Sequence, residues 1–298
     1  MTSVTRRNFF QTGRPEEDTL PCADTPSMTR RLGPFLLAAV TIAVAPVSPA
    51  SADAQATLPK PIPCTGCWAP SGQISWQWQL QGKIDLSVRA PMYDVDLFDT
   101  PKASVRALHH RGRRVVCYLD AGTWENWRPD AGAFPKRVLG RNNGWPGERW
   151  LDIRRRHVLA PIMRARLDRC ARKGFDGVEF DNVDGYANRT GFALTAGQQL
   201  RYNAWLANQA HRRDLSAALK NDVDQVGRLL PYFDFALDEQ CFQYRECATL
   251  RPFVTAGKAV FEVEYRLRRS KFCPKGTSLG FNSMRKRLAL GVWRRPCG

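Results

Sequence analysis

Read for its alternation of apolar and polar positions, the chain repeats one design: a short apolar, β-branched run that ends in a carboxylate and then breaks. The runs are Tyr93–Phe98 with Asp94 and Asp96, Arg114–Asp120, Gly177–Asp184 with Glu179 and Asp181, Ser216–Asp222 with Lys220, Phe233–Gln240 with Glu239, and Lys258–Tyr265 with Glu262 and Glu264. Runs of this length between turn residues predict buried strands. Trp76–Leu80 alternates likewise and predicts a first strand, and Leu279–Asn282 an eighth. Helical periodicity lies between them, over Pro101–His110, Arg154–Lys173, Thr195–Arg213, Asp224–Leu230 and Leu250–Ala256. Strands alternating with helices predict an α/β chain folded as a single (β/α)8 TIM-like barrel, whose strand C-termini open on one face. Carboxylates repeated there would form one acidic mouth. The stretch Ala121–Trp150 reads as a long irregular loop, which in a compact domain tends to carry function.

Length admits one such barrel in residues 73–298 of the 298. The formal charge of +17 suggests polyanion binding by itself, but its distribution argues otherwise. Residues 176–264 hold 13 Asp and Glu against 9 Lys and Arg, whereas residues 265–298 hold ten Lys and Arg and no acid. The basic excess is peripheral and the segment bearing the strand-end acids is acidic. No nucleic-acid partner is expected, and Arg154-Arg155-Arg156 reads as a solvated face. The basic stretch Arg266–Lys271 is the one candidate for touching an anionic envelope polymer.

Residues 1–52 read as an N-terminal extension and export signal. Arg30-Arg31 precede the apolar run Leu32–Val47, and Ala50-Ser51-Ala52 gives a small-residue cleavage pattern. The run holds Pro34 and Pro46 and is shorter than the ~20 residues a span needs, so no stable membrane insertion is expected once the signal is removed. Thr5–Phe10 resembles a twin-arginine signal but is cut off by Glu16-Glu17-Asp18, and a translation start at Met28 accounts for it. Residues 53–72 read as a linker. From residue 53 onward the chain carries eight cysteines, an even number that in an exported protein suggests disulfides. Cys64 and Cys67 suit a structural disulfide better than half a zinc site, since no second CxxC and no nearby His follows. Cys241 and Cys247 flank a short loop and are candidates for local pairing.

Residues i and i+2 of a strand point the same way, so Glu179 and Asp181 share a face, as do Lys220 and Asp222, and Glu262 and Glu264. Two carboxyls across one cleft are what glycoside hydrolysis requires: one protonates the leaving oxygen, the other attacks or activates water. Like-charge crowding raises one partner's pKa and supplies the acid. The competing readings are a Mg²⁺ site at Asp181-Asn182-Val183-Asp184 and a Schiff-base role for Lys220, which Asp222 two residues on makes a better ion-pair lysine. His109, His110, His157 and His211 all fall in helical segments, which argues against a Ser-His-Asp triad or a histidine metal cage. Tyr118, Trp124, Trp127, Tyr186, Phe242, Tyr244 and Tyr265 fall at or beyond strand ends, where they could stack on sugar faces. Trp76 and Trp78 read as core.

The motifs Trp76–Leu80, Tyr93–Thr100, Trp124–Pro129, Gly174–Glu179, Asp181–Tyr186, Leu219–Asp222 and Glu239–Tyr244, in that order, resemble glycoside hydrolase family 114 from about Trp68 to the C-terminus. The resemblance implies a TIM-like barrel with endo-α-1,4-polygalactosaminidase activity and catalytic carboxyls at Asp181 and Glu239. Asp96, Tyr118, Asp120, Trp124, Trp127, Glu179, Asp184, Tyr186, Lys220, Asp222, Tyr244 and Glu264 are the candidate substrate-binding residues. No metal or cofactor is expected. The chain departs from the family pattern at Phe180, where proline is common, at Asp238, where asparagine is common, and at Asp120, where serine is common. The expected partner is a cationic aminosugar polysaccharide, met by a secreted or envelope-associated monomer.

Overall fold

The computed structural model describes residues 57–298. The leader expected over residues 1–52 and its cleavage pattern lie outside them. Among the described residues, nine strands form one sheet that curls into a barrel. The chain runs through β1 (Trp76–Gln79), β2 (Met92–Asp96), α1 (Lys102–His109) and β3 (Arg114–Asp120). An antiparallel sheet of β4 (Thr123–Glu125), β5 (Leu139–Asn142) and β6 (Glu148–Leu151) then interrupts the barrel. Next come α2 (Arg156–Lys173), β7 (Gly177–Asp181), α3 (Ala196–His211), β8 (Ser216–Lys220), α4 (Val226–Leu229), β9 (Phe235–Glu239), α5 (Cys241–Tyr244), α6 (Arg251–Thr255), β10 (Val260–Glu264), α7 (Arg269–Ser278), β11 (Asn282–Lys286) and β12 (Arg294–Pro296). The strands β1, β2, β3, β7, β8, β9, β10 and β11 pair in parallel in that order. The short β12 runs antiparallel to β11, and Arg294 Nη1 donates to the Trp76 carbonyl at 2.6 Å, bridging the seam toward β1.

Two apolar cores explain why these runs are strands. Inside the barrel pack Trp76, Trp78, Met92, Val116, Ala218, Phe235, Leu237, Phe261, Val263 and Met284. The alternate residues, such as Val95, Leu119, Val178, Phe180, Leu219 and Ala236, face outward into the larger core under the helices. Strands buried on both faces read as near-continuous apolar runs, which is the pattern seen in the sequence. Helix ends follow local chemistry. Thr195 and Gln198 form a reciprocal capping box at the start of α3, and Gly174 closes α2 at φ 86°.

Two expected boundaries shift. The eighth strand lies at Asn282–Lys286, beyond the Leu279–Asn282 predicted, because Leu279 and Phe281 finish the turn after α7. Ala121–Trp150 contains the antiparallel sheet instead of being irregular throughout. Residues 57–72 pack along the barrel. Asn208 of α3 accepts from Ile62 N–H at 2.8 Å and donates to the Lys60 carbonyl at 3.0 Å, and Trp68 packs on Phe235 with ring centroids 6.3 Å apart. The eight cysteines from Cys64 onward pair as Cys64–Cys67, Cys117–Cys170, Cys241–Cys247 and Cys273–Cys297.

Candidate active site

Three adjacent strands end in the same way. Asn182 follows β7 at φ 60°, Asn221 follows β8 at φ 49°, and Gln240 follows β9 at φ 67°. A left-handed residue turns the backbone away immediately, which leaves Asp181, Lys220 and Glu239 as the last side chains of their strands, above the barrel interior. The conformation costs a non-glycine residue about 1–2 kcal/mol, and such residues gather at functional sites. Local bonds offset part of it: Asn182 Nδ2 donates to Asp120 Oδ2 at 2.7 Å, and Asn221 Oδ1 accepts from Glu239 N–H at 3.0 Å. Gly122 permits the close passage of the β3 and β7 ends, since a Cβ there would meet the Asn182 carbonyl at 1.6 Å.

Lys220 stands at the centre. Its ammonium lies 2.8 Å from Asp181 Oδ1, 3.0 Å from Glu239 Oε2 and 3.3 Å from Glu179 Oε1, over the Trp78 ring at 5.0 Å. Burial disfavours its charge, but Asp181, Glu239 and Glu179 outweigh that and hold the lysine firmly protonated. Tyr118 donates to Asp181 Oδ2 at 2.8 Å, and the Tyr265 hydroxyl donates to Glu239 Oε1. Burial alone would raise the Asp181 pKa, yet Lys220, Tyr118 and the Asn182 N–H keep it below the usual carboxylate range. Asp181 is therefore ionised at neutral pH.

Beneath this layer, Asp94 and Glu179 are fully buried. Burial raises Glu179 to about 7, with Lys220 opposing and Asp181 adding to the rise. Burial and the neighbouring Glu179 push Asp94 well above its ordinary value. The antiparallel sheet contributes a second acidic wall. Glu148 is raised to about 7 by burial, against a hydrogen bond from Asn143, and Arg128 clamps Glu125 and Asp96.

Asp181, Lys220, Glu239, Tyr118 and Tyr265, with Glu125, Arg128 and Glu148 of the second wall, line a cleft of about 620 Å³. Of the expected substrate-binding residues, Asp96, Tyr118, Trp127, Asp184, Lys220 and Tyr244 line it together with Asp181 and Glu239. The others lie beside or below it. Asp120 is buried and accepts from Gly122 N–H, Thr123 N–H and Asn182, so it fixes the turn after Asp181. Trp124 Nε1 donates to the Ala131 carbonyl at 3.1 Å and anchors its loop. Glu179 forms the floor under Lys220. Asp222 accepts from Asn203 of α3 at 2.8 Å and is bonded to Tyr186. Glu264 faces away from the barrel interior and accepts from Phe242 N–H and Gln243 N–H, both at 3.0 Å, at the start of α5. Burial raises it to about 7. Asp238 also faces outward, register partner of Glu262, on the opposite side of β9 from Glu239.

Several cleft residues are not among those expected from the sequence. Tyr265, placed at a strand end but not among the site residues, touches Glu239, and Trp78, read as core, supports Lys220. Asn221 carried a signal, an asparagine directly after a strand-end lysine. Glu125 and Arg128 lay within the Trp124–Pro129 motif without being singled out, and Asn143, Trp145 and Glu148 carried no signal beyond lying in a long segment between strands. Among the described residues with large apolar side chains left exposed, Trp127, Trp145, Tyr244 and Leu288 all line the cleft. Exposed apolar surface concentrated at one concave site marks a binding surface. No group of three or more His, Cys, Asp or Glu among the described residues is placed to hold a metal ion. Nor is any described helix long and apolar enough to cross a membrane.

Comparison with known proteins follows the same geometry. The model of glycoside-hydrolase family GH114 matches residues 61–298. Among solved structures, Ega3 of Aspergillus fumigatus, determined in complex with galactosamine, is 38% identical at a TM-score of 0.72, covering 77% of this chain and 97% of that one. The glycoside hydrolase domain of PelA from Pseudomonas aeruginosa shares the fold at 15% identity and a TM-score of 0.60, over 76% and 98% of the two chains. An uncharacterized protein of Deinococcus radiodurans is 30% identical over 199 residues, 58% of this chain, and the match spans 62% of that relative's length. With its family pattern extending across the whole barrel, the chain belongs to glycoside-hydrolase family GH114.

Proposed function

We propose that this chain is an exported glycosidase that cuts within α-1,4-linked galactosamine-containing polysaccharide, using Asp181 and Glu239 as its carboxyl pair. The observation that carries the reading is their convergence: two acids from β7 and β9 meet one buried lysine at the base of an aromatic-rimmed cleft. The galactosamine bound to Ega3 supports an aminosugar substrate, and a largely acidic cleft suits its ammonium groups. Four cysteine pairs support export.

Asp181, held ionised, is suited to attack the anomeric carbon, while Glu239, after taking up a proton from solvent, gives it to the departing glycosidic oxygen. Glu239, then a carboxylate, takes a proton from water as that water displaces Asp181 from the sugar. The two oxygens nearest Lys220 can be no farther apart than the sum of their contacts to it, a bound of about 6 Å. A separation of that order is compatible with the ~5–5.5 Å carboxyl spacing of retaining enzymes. The lysine also occupies the position where carboxylates would gather around a divalent cation, so the reading assigns no step to a metal. The test is reducing-end release from partly deacetylated α-1,4-galactosamine polymer, with chelator in parallel and the first-formed anomer followed by NMR. Chelator-resistant release with retained configuration is expected. Polymer bound by a folded protein without release would make the chain a binding protein.

A further inference from the structure

Across Tyr265 from the cleft lies a second cavity of about 490 Å³. Arg266, Arg285, Lys286 and Arg287 line it with Trp293, and it shares Tyr265 and Leu288 with the cleft. Tyr265 joins the two chemically: its hydroxyl donates to Glu239, and its backbone carbonyl accepts from Arg285 Nε at 3.5 Å. The Arg287 guanidinium rests over the Trp293 ring at 5.1 Å. Lys286 is buried and donates to the Gly291 carbonyl at 2.7 Å. The charge contrast is sharp. The cleft lining holds eight Asp and Glu against Arg128 and Lys220, whereas the second cavity is lined by Arg266, Arg285 and Arg287, with Lys286 lowered to about 7 by burial, and, among the described residues, by no acid. A polymer that lies over Glu239 and continues past Tyr265 leaves a field of carboxylates and enters one of cations.

We propose that the groove is divided by charge at Tyr265: units bearing free ammonium groups occupy the carboxylate side, and the unit beyond Tyr265 is N-acetylated. This rests on the aminosugar-polymer reading above. An ammonium placed among several guanidiniums is repelled, more so where the neighbouring surface lowers the local dielectric. An acetamide carries no charge, and its carbonyl oxygen accepts from guanidinium N–H groups, which are donors only. The enzyme therefore cuts at boundaries between deacetylated and acetylated stretches, with a fixed polarity.

The test is digestion of a partly acetylated α-1,4-galactosamine polymer by the full chain, with the new ends on the two sides of the cut distinguished in heavy-oxygen water and sequenced by mass spectrometry. One of the two new ends should be enriched in N-acetylated units on the order of five- to ten-fold over the polymer's composition, as one to two unscreened surface charges would give. The exposed Arg287 can be altered without disturbing the core, and Arg287→Glu, alone or with Arg285→Gln, should erase that enrichment and raise the relative rate on fully deacetylated polymer. High salt should erode the bias in the wild type. Free amines at both new ends, or an acetyl bias unchanged in the variants, would overturn the division while leaving the glycosidase reading intact. No cleavage of any galactosamine polymer would overturn both.

Discussion

Lys220 is 2% exposed, and only its three carboxylate neighbours keep its charge there. Removing one member of a buried ionic cluster leaves the others uncompensated, which costs about 3–5 kcal/mol. Lys220→Met should lose stability of that order in urea denaturation. It should also release Asp181 from its depressed pKa, moving the acid limb of the activity profile to higher pH. Glu179 gives a second prediction at this scale. Its folded-state value of about 7 lies above its ordinary 4.5, so the folded protein keeps a proton that the unfolded chain has released. Stability should therefore fall as pH rises from about 4.5 to about 7 and level off above, and Glu179→Gln should flatten that slope. Glu179 was visible in the sequence as a strand acid two residues before Asp181, but whether it would meet substrate or underlie it depends on depth in the barrel, which alternation does not encode.

Among the elements, the strand termini were the most legible part of the chain, because a buried parallel strand is a short apolar run and its end is a change of polarity. The face was harder. Strand β10 alternates as cleanly as β7, but its acids Glu262 and Glu264 point toward the helices, and parity is set by pairing with β9 and β11. Helix α7 was hidden by Pro274, Gly276 and its basic residues. The antiparallel insert was hidden because its strands are three or four residues long. Cys117 in β3 and Cys170 in α2 lie 53 residues apart and tie barrel to helix layer. Loop closure of that length predicts a loss of about 2–4 kcal/mol for Cys117→Ala with Cys170→Ala, measured by denaturation. Cys241→Ala with Cys247→Ala, which opens a link of separation 6, should cost less.

Over the whole molecule the +17 charge and the acidic cleft act together. A cationic exterior opposes adsorption of an ammonium-bearing polymer except at the carboxylate-lined groove, so the apparent affinity for that polymer should fall as salt is raised. An affinity insensitive to salt would remove the electrostatic account of selectivity. The segregation of charge along the chain showed in the sequence. The cationic cavity beside the cleft did not, because Arg266 lies just past the end of β10 and Arg285–Arg287 at the end of β11, and they meet only through the pairing of those strands.

The central claim is that Asp181 and Glu239 work as a pair on one bound polymer. It is tested most directly by measuring cleavage and polymer binding together for wild type, Asp181→Asn and Glu239→Gln. Both variants keep the shape and most of the hydrogen bonding of the site. Each should therefore fold and bind galactosamine polymer while cleavage falls at least about a thousand-fold, a size consistent with loss of a reacting group. Retention of substantial cleavage by either folded variant would contradict the assignment.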